Sequence, residues 1–198
     1  MIDFKKVQKN TAKINRTLSR KLLYHDANHG EEVRQAMLRL LEKQKATTEE
    51  HLLLQTAALY HDVGFTVRYD DNEKEAVKIV EKELPALGYT PKQIQIISKM
   101  ILTTKVPQCP KTKLEKLLCD ADLDNLGRPD FFKKTDLLWK EMRNFGIRIP
   151  KKEWHIKTLD MMKSHCFFTS ASKNLRQKEK KRNLHLLKIK IKKASSKP

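Results

Sequence analysis

HLLLQTAALYHDVG, residues 51–64, is the stretch that decides the fold of this chain. Apolar side chains occupy eight of its fourteen positions and leave no wide polar face, which is typical of a helix that is buried on all sides. The preceding residues TTEE, 47–50, have the spacing of a capping box, and Gly64 is a helix terminator. We therefore predict a central apolar helix that ends in the polar pair His61-Asp62.

The rest of the chain is also predicted to be helical. Apolar residues recur at helical spacing, glycine and proline are scarce, and no pair of strands is indicated. TPKQ (90–93) and TKLE (112–115) are two further capping boxes. The fold class predicted is all-α. The expected helices are 4–22, 30–45, 71–84, one opening at 90–93, one opening at 112–115, and then about 130–145, 151–168 and 170 onward.

Length and composition restrict the class of protein. The 198 residues suit one domain, no run is long enough to cross a bilayer, and the N-terminus lacks the apolar segment of a signal peptide. Cys109, Cys119 and Cys166 are odd in number and form no C-x-x-C motif. We interpret them as reduced, buried thiols and expect a cytoplasmic protein.

Positive charge is concentrated at the C-terminus. Residues 173–198 hold eleven Lys and Arg against the single acid Glu179, and so supply +10 of the formal net charge of +18. We expect a helical domain over residues 1–176 and a basic tail over 177–198. The tail is interpreted as solvated and partly disordered, or else as a surface for phosphate-rich partners or anionic lipid.

The tripeptide Tyr-His-Asp occurs twice, at residues 24–26 and 60–62. The second copy places His61-Asp62 where a buried helix ends, and burying two polar groups is costly unless something such as a divalent cation pairs with them. The first copy lies in a non-periodic stretch that is followed by His29 at a helix start. A cap or a satisfied core residue is the commoner role of a lone His at such a position.

A third acidic segment, LLCDADLDNLG, contains Asp120, Asp122 and Asp124 after an apolar run. Helical geometry separates alternate positions by about 200°, so one of these carboxylates is expected to face inward alone. Together with His29 and the pair His61-Asp62, it would form a mixed nitrogen and oxygen site suited to a catalytic divalent metal.

In their order and spacing these segments resemble the HD-domain family of metal-dependent phosphohydrolases. The matching segments are YHDANHGEEV, YHDVGF and CDADLDNLG, and the likeness covers residues 20–130, more loosely to about 176. The resemblance implies a bundle of about seven to nine helices. It also implies one divalent cation (Mn, Mg, Fe, Ni or Zn), with His29, His61, Asp62 and Asp122 as its ligands.

The resemblance further implies hydrolysis of a phosphomonoester or phosphodiester, of a nucleotide above all, by a metal-activated water. His61 and Asp62 are the expected catalytic residues, with Asp62 binding the metal through one oxygen and accepting a proton with the other. The side chains expected to hydrogen-bond the ligands are His25 and Asp120.

Lys105 and Arg68 are the candidates for binding the phosphate, although a solvated surface charge is the commoner role for each. A small phosphorylated substrate is the expected partner, and polyanion contact is expected only through the tail.

One departure from the family pattern concerns the metal count. The family often has His-Glu at the start of the helix after the doublet, where this chain has Asn72-Glu73, and no His lies between His61 and His155. One metal is therefore expected rather than two. Two alternatives stay open: a non-catalytic HD domain that senses a nucleotide and regulates a partner, and a nucleic-acid-binding protein whose salt-dependent binding requires residues 177–198.

Overall fold

The computed structural model describes residues 2–195, and the regular secondary structure of this part of the chain is α-helical and 3-10-helical, without strands. The all-α prediction is confirmed. No helix in the described part is both long and apolar enough to cross a membrane. The α-helices are α1 (Phe4–Asn15), α2 (His29–Leu41), α3 (Thr48–Tyr60), α4 (Asn72–Glu83), α5 (Pro91–Thr103), α6 (Lys113–Asp122), α7 (Phe131–Asn144), α8 (Lys151–Ser164) and α9 (Ser170–Ser195); 3-10 helices span Val63–Thr66, Pro85–Leu87 and Asp124–Gly127.

Helix α3 is the centre of the bundle, as predicted. It packs against α1, α2, α5 and α6, and side chains on several of its faces, among them Leu54, Ala57 and Tyr60, are fully buried. Its capping box is formed: the Glu50 backbone N–H donates to the Thr47 hydroxyl at 3.1 Å, and the Thr47 N–H donates to the Glu50 carboxylate at 2.8 Å. The boxes that open α5 and α6 are also present.

The first helix is shorter than predicted, because α1 ends at Asn15 and the chain then turns repeatedly until α2 begins. Leu22, which was predicted to lie on the apolar face of this helix, is buried but lies in the irregular segment between α1 and α2. The backbone N–H groups of residues 23–25 all donate to the buried carboxylate of Glu141 on α7. The carboxylate takes the place that carbonyl oxygens have in a helix. The backbone N–H groups of this segment therefore have an acceptor although the segment is not helical.

The largest correction concerns the C-terminal residues, which were predicted to form a solvated, partly disordered tail. Residues 177–195 are the continuation of α9, whose inner face packs on α8 and on the 3-10 helix Asp124–Gly127. Lys180, Asn183 and Leu187 are buried at helical spacing, and the Asn183 amide donates to the carbonyl oxygens of Leu126 and Arg128 at 3.1 and 2.9 Å. Only residues 196–198 of the expected tail lie outside the described part. Polyanion contact through α9 stays a prediction.

The three thiols are free, as expected, but only Cys119 is buried. Its burial against Asp122 and Asp120 raises the pKa of the Cys119 thiol strongly, so this sulfur is a packed, inert group. Cys109 and Cys166 are exposed, contrary to the expectation that all three are buried.

Candidate metal centre

The structure brings all four predicted ligands together. The Nε2 atom of His61 lies 3.0 Å from Asp62 Oδ2 and 3.5 Å from Asp122 Oδ1. The Nε2 atom of His29 lies 3.4 Å and 3.8 Å from the same two oxygens. Four donor atoms thus converge on one small space, as ligands of a single cation do.

Helix ends place these side chains. His29 is the first residue of α2, Asp122 is the last residue of α6, and His61 and Asp62 follow directly after α3. Because α3 packs against both other helices, the end of the central helix meets the other two termini inside the bundle. Adjacent residues of a regular helix diverge, but a helix terminus lets His61 and Asp62 turn toward the same point.

The tautomer of His61 is set by its own helix. Its Nδ1 lies 2.8 Å from the carbonyl oxygen of Ala58 and must donate to it, which leaves a lone pair on Nε2. That lone pair faces carboxylate oxygens, an arrangement that is repulsive unless a proton or a cation lies between them. His61 Nε2 and both ring nitrogens of His29 are buried and accept or donate no hydrogen bond within residues 2–195.

Two carboxamides orient the carboxylates. Asn72 Nδ2 donates to Asp62 Oδ1 at 2.9 Å, and Gln108 Nε2 donates to Asp122 Oδ2 at 2.9 Å. Each carboxylate therefore turns its other oxygen toward the imidazoles. Contacts of this kind hold metal ligands in position in known metal sites.

Gly64 makes the placement of Asn72 possible. A Cβ atom at residue 64 would lie 1.8 Å from the Asn72 carbonyl oxygen and 2.7 Å from the Ala76 nitrogen. The 3-10 helix after α3 can approach α4 so closely only because this residue has no side chain. The Asn72-Glu73 position, first noted as a departure from a family pattern, thus supplies a direct partner of Asp62.

His25 lies beside the predicted ligands but is too far from Asp62 to form the predicted hydrogen bond to a ligand. Its Nε2 lies 3.9 Å from Asp62 Oδ2, its Nδ1 lies 2.5 Å from Glu141 Oε1, and its ring stacks on Phe65. His25, His29 and Asp62 are close enough to form a second group of candidate ligands that overlaps the group His29, His61 and Asp122. Sequence analysis missed Glu141, which lies 116 residues from His25 and carries no motif.

Asp120 does not hydrogen-bond a ligand, which corrects its predicted role. It is buried and accepts hydrogen bonds from the Phe168 backbone N–H at 2.8 Å and from the Thr169 backbone N–H and hydroxyl at 2.8 and 2.6 Å. These bonds attach the end of α6 to the turn that precedes α9. Asp120 is therefore a structural residue of the α9 junction.

The charges of the site are strongly coupled. Burial alone lowers the pKa of His61, but the carboxylates of Asp62 and Asp122 outweigh burial and raise that pKa well above its ordinary value. Burial raises the pKa of Asp62, yet the imidazoles of His61, His25 and His29 lower it by more, so Asp62 stays ionised. Burial lowers the pKa of His29. A cation bound here would replace the proton on His61.

A cavity of about 630 Å³ opens onto this cluster. Asp62 and Asp122 lie in its wall, and so does Lys105, which pairs with Asp71 at the rim. Arg68, the other predicted phosphate ligand, is exposed and is not part of the cavity wall. Lys134 and Lys157, which the sequence did not single out, also line the cavity.

Comparison with known proteins finds a similar fold among solved structures. No protein-family profile matches the sequence, and no curated protein matches it. One solved structure does resemble this fold: YpgQ from Bacillus subtilis, solved in complex with ADP. The superposition has a TM-score of 0.69 and covers 98% of this chain and 97% of YpgQ, at 18% sequence identity. This superposition therefore supports the all-helical architecture over nearly all of the described residues.

Proposed function

We propose that this chain is a metal-dependent phosphohydrolase of the HD-domain type that cleaves a phosphoester, with a nucleotide as substrate. The observation that carries the proposal is the pair of buried Nε2 atoms of His29 and His61. Both face carboxylate oxygens of Asp62 and Asp122 at the wall of a cavity of substrate size.

The donor set fits one divalent cation. Two imidazoles and two carboxylates suit Mn, Mg, Fe, Ni or Zn, and fewer than six protein ligands leave positions for water and substrate. A cation bound there would polarise a phosphoryl oxygen and lower the pKa of a bound water.

The charge of the cavity supports the need for a cation. Five carboxylates line it against three lysines. An anionic phosphate would be repelled by this excess of negative charge, and a divalent cation would cancel the excess. The lysines are Lys105, Lys134 and Lys157; the acids are Asp62, Asp70, Asp71, Glu73 and Asp122.

His25 is the group best placed to move a proton beside the ligands. Glu141 fixes its Nδ1, so that Nε2 faces the cavity next to Asp62. The proton-accepting role first assigned to Asp62 is less well supported, because its Oδ1 already accepts from Asn72 and its pKa is lowered. In this proposal Asp62 holds the metal, and His25 exchanges the proton.

Two observations favour a nucleotide among phosphoesters. The structural relative YpgQ was solved with ADP, and the cavity of this chain joins the acidic cluster to an apolar wall that includes Phe65 and Tyr69. A phosphate at the acidic cluster and an aromatic ring against the apolar wall would use both surfaces.

The test is a panel of nucleotides and simple phosphoesters, assayed with each of the five metals on wild type, Asp62→Ala and Asp70→Ala. Asp70 lines the same cavity but belongs to neither group of candidate ligands, so its variant is the matched control. We expect turnover by wild type and Asp70→Ala and a loss of at least a hundredfold in Asp62→Ala. Metal and nucleotide binding without turnover by wild type would replace the enzyme with a nucleotide sensor.

A further inference from the structure

A second concave surface, the α7–α8 groove, lies where the end of α7 turns into the start of α8. Its volume is about 830 Å³, and it shares no lining residue with the cavity at the metal ligands. Of its eight lining residues four are basic and none is acidic; the basic ones are Lys140, Arg143, Arg148 and Lys151. A concave surface of one sign of charge concentrates ions of the opposite sign.

Most cations of the α7–α8 groove have no acidic partner. Lys140, Arg143 and Arg148 form no ion pair with a carboxylate within residues 2–195. Lys151 forms one, with Asp136 at 3.2 Å. Like charges that are held close together repel each other, and a bound anion relieves that repulsion.

The net charge of +18 does not by itself produce such a surface. Three arginines also line the open cleft beside α2, but each of them has an acidic neighbour. Arg128 pairs with Asp130 at 2.6 Å, Arg176 pairs with Asp124 at 2.6 Å, and Arg39 lies 3.7 Å from Asp124. The unpaired cations of the α7–α8 groove are therefore a local feature of this surface.

Trp139 holds two of these cations in position. Its Nε1 donates to the Ile149 carbonyl oxygen at 2.9 Å, across the turn between the helices. The Arg143 guanidinium carbon lies 4.8 Å from the centre of a Trp139 ring, and Lys151 Nζ lies 5.1 Å from it. These are cation–π distances. The indole thus orients a cation from each helix without neutralising its charge.

Positive charge continues beyond the groove on segments that are distant in sequence. The carbonyl oxygen of Lys21 accepts a hydrogen bond at 3.0 Å from Nδ2 of Asn144, which lines the groove. On the other side, Lys190 of α9 lies near the start of α8. Burial lowers the pKa of His155, and the charges of Lys190 and Lys151 lower it further. The basic surface is therefore longer than the groove, which suits a chain of phosphates better than a single phosphate.

We propose that the α7–α8 groove binds the phosphodiester backbone of a single-stranded nucleic acid, without regard to base sequence. A single strand is flexible enough to follow a concave groove, whereas a duplex is stiff and a bilayer is broad. The large apolar side chains that residues 2–195 expose all lie outside the groove, so it lacks the apolar contacts of a lipid-binding surface. The inference does not depend on the proposed function, since the groove and the metal-site cavity share no residue.

The test compares two double variants that lose the same charge. Lys140→Gln/Arg148→Gln removes two unpaired cations of the groove and leaves the contacts of Trp139 intact. Lys178→Gln/Lys181→Gln is the matched control, because both lysines are exposed on α9 and form no ion pair within the described residues. The probe is a fluorescein-labelled oligouridylate, titrated by fluorescence anisotropy at several salt concentrations.

We expect the groove variant to bind the probe about tenfold more weakly at low salt, because two phosphate contacts are lost. The slope of log K against log salt concentration should become shallower by about 1.4, since each contact to a single strand contributes about 0.7. The control variant should keep the wild-type slope. Equal losses in both variants would indicate general charge attraction and would overturn the groove as the binding site.

Competition distinguishes a single strand from other polyanions. Unlabelled oligothymidylate should displace the probe, whereas a duplex of the same length and vesicles of phosphatidylcholine and phosphatidylserine should do so only at much higher phosphate concentration. Preferential displacement by the duplex or the vesicles would contradict the proposed ligand. Absence of probe binding to wild type at low salt would contradict the site itself.

Discussion

At the scale of single residues, two carboxamides decide which way the carboxylates of the metal centre face. Asn72 and Gln108 each donate to one oxygen of Asp62 and Asp122, and the free oxygens face the imidazoles. Without these donors each carboxylate could rotate and turn its oxygens away from the imidazoles. The amides therefore contribute to metal affinity although neither is a ligand.

Gln108→Ala tests this contribution. Removing the donor leaves Asp122 in place but free to rotate, so Mn²⁺ affinity should fall about 10- to 100-fold. Calorimetric titration with Mn²⁺ measures the change.

Gln35→Ala is the control, since Gln35 is an exposed glutamine whose amide bonds Glu31 on the surface of α2. Equal Mn²⁺ affinity in wild type and Gln108→Ala would show that Asp122 needs no such support.

The residues of the site were predictable to different degrees. The four predicted ligands lie in segments with a recognisable pattern, and the structure brings them together: His29, His61, Asp62 and Asp122. Glu141 and Gln108 carry no local signal, because their partners lie 116 and 14 residues away and only the packing of α7 and of the loop before α6 brings them near. Asp120 shares a motif with Asp122 yet faces the other way, toward α9.

At the scale of elements, α9 is part of the bundle rather than an appendage. Leu187 is fully buried with Leu126, Phe131 and Met162 in a second, smaller core. Gly127 allows the approach, because a Cβ atom there would lie 2.5 Å from the Arg176 carbonyl oxygen. Arg176 in turn forms a two-pronged ion pair with the buried Asp124, at 2.6 and 3.0 Å.

Leu187→Ala measures how firmly α9 is docked. Truncation of a fully buried leucine should cost about 2–5 kcal/mol of unfolding free energy. Chemical denaturation of the full chain gives this value. The neighbouring Leu186 is 38% exposed, so Leu186→Ala should cost much less. Similar small losses in both variants would mean that α9 does not pack on the bundle.

A helix from residue 170 onward was predicted, but the basic composition beyond residue 176 hid the fact that it continues and packs on the bundle. The apolar run of α3 and the capping boxes of α3, α5 and α6 predicted those helices correctly. The inner face of α9 instead contains Lys180 and Asn183, residues that usually indicate exposure. Their burial depends on partners elsewhere: Lys180 donates to the His165 carbonyl oxygen, and Asn183 caps carbonyl groups near Gly127.

At the scale of the whole molecule, the junction of α8 and α9 makes stability depend on pH. Burial, with a smaller contribution from Lys180, lowers the pKa of His165 to about 4. The unfolded chain takes up this proton near pH 6.5, before the folded chain does. The contribution of the neutral His165 ring to the free energy of unfolding is therefore complete above pH 6.5 and is lost as the pH falls toward 4.

Urea denaturation of wild type and His165→Asn across this range tests the assignment. Between pH 6.5 and pH 4.5, wild type should lose more unfolding free energy than His165→Asn, which lacks the titrating ring. Parallel losses in the two proteins would assign the pH dependence to other groups.

The fold brings three helix termini together at one point: the start of α2 and the ends of α3 and α6. The most direct measurement of that convergence is Mn²⁺ binding to the full chain, by calorimetric titration of wild type and Asp122→Asn. We predict saturable binding of about one ion per chain in wild type and at least tenfold weaker binding in Asp122→Asn, where a charged ligand becomes a neutral amide. No saturable binding to wild type, or equal binding to both proteins, would contradict a metal centre formed by His29, His61, Asp62 and Asp122.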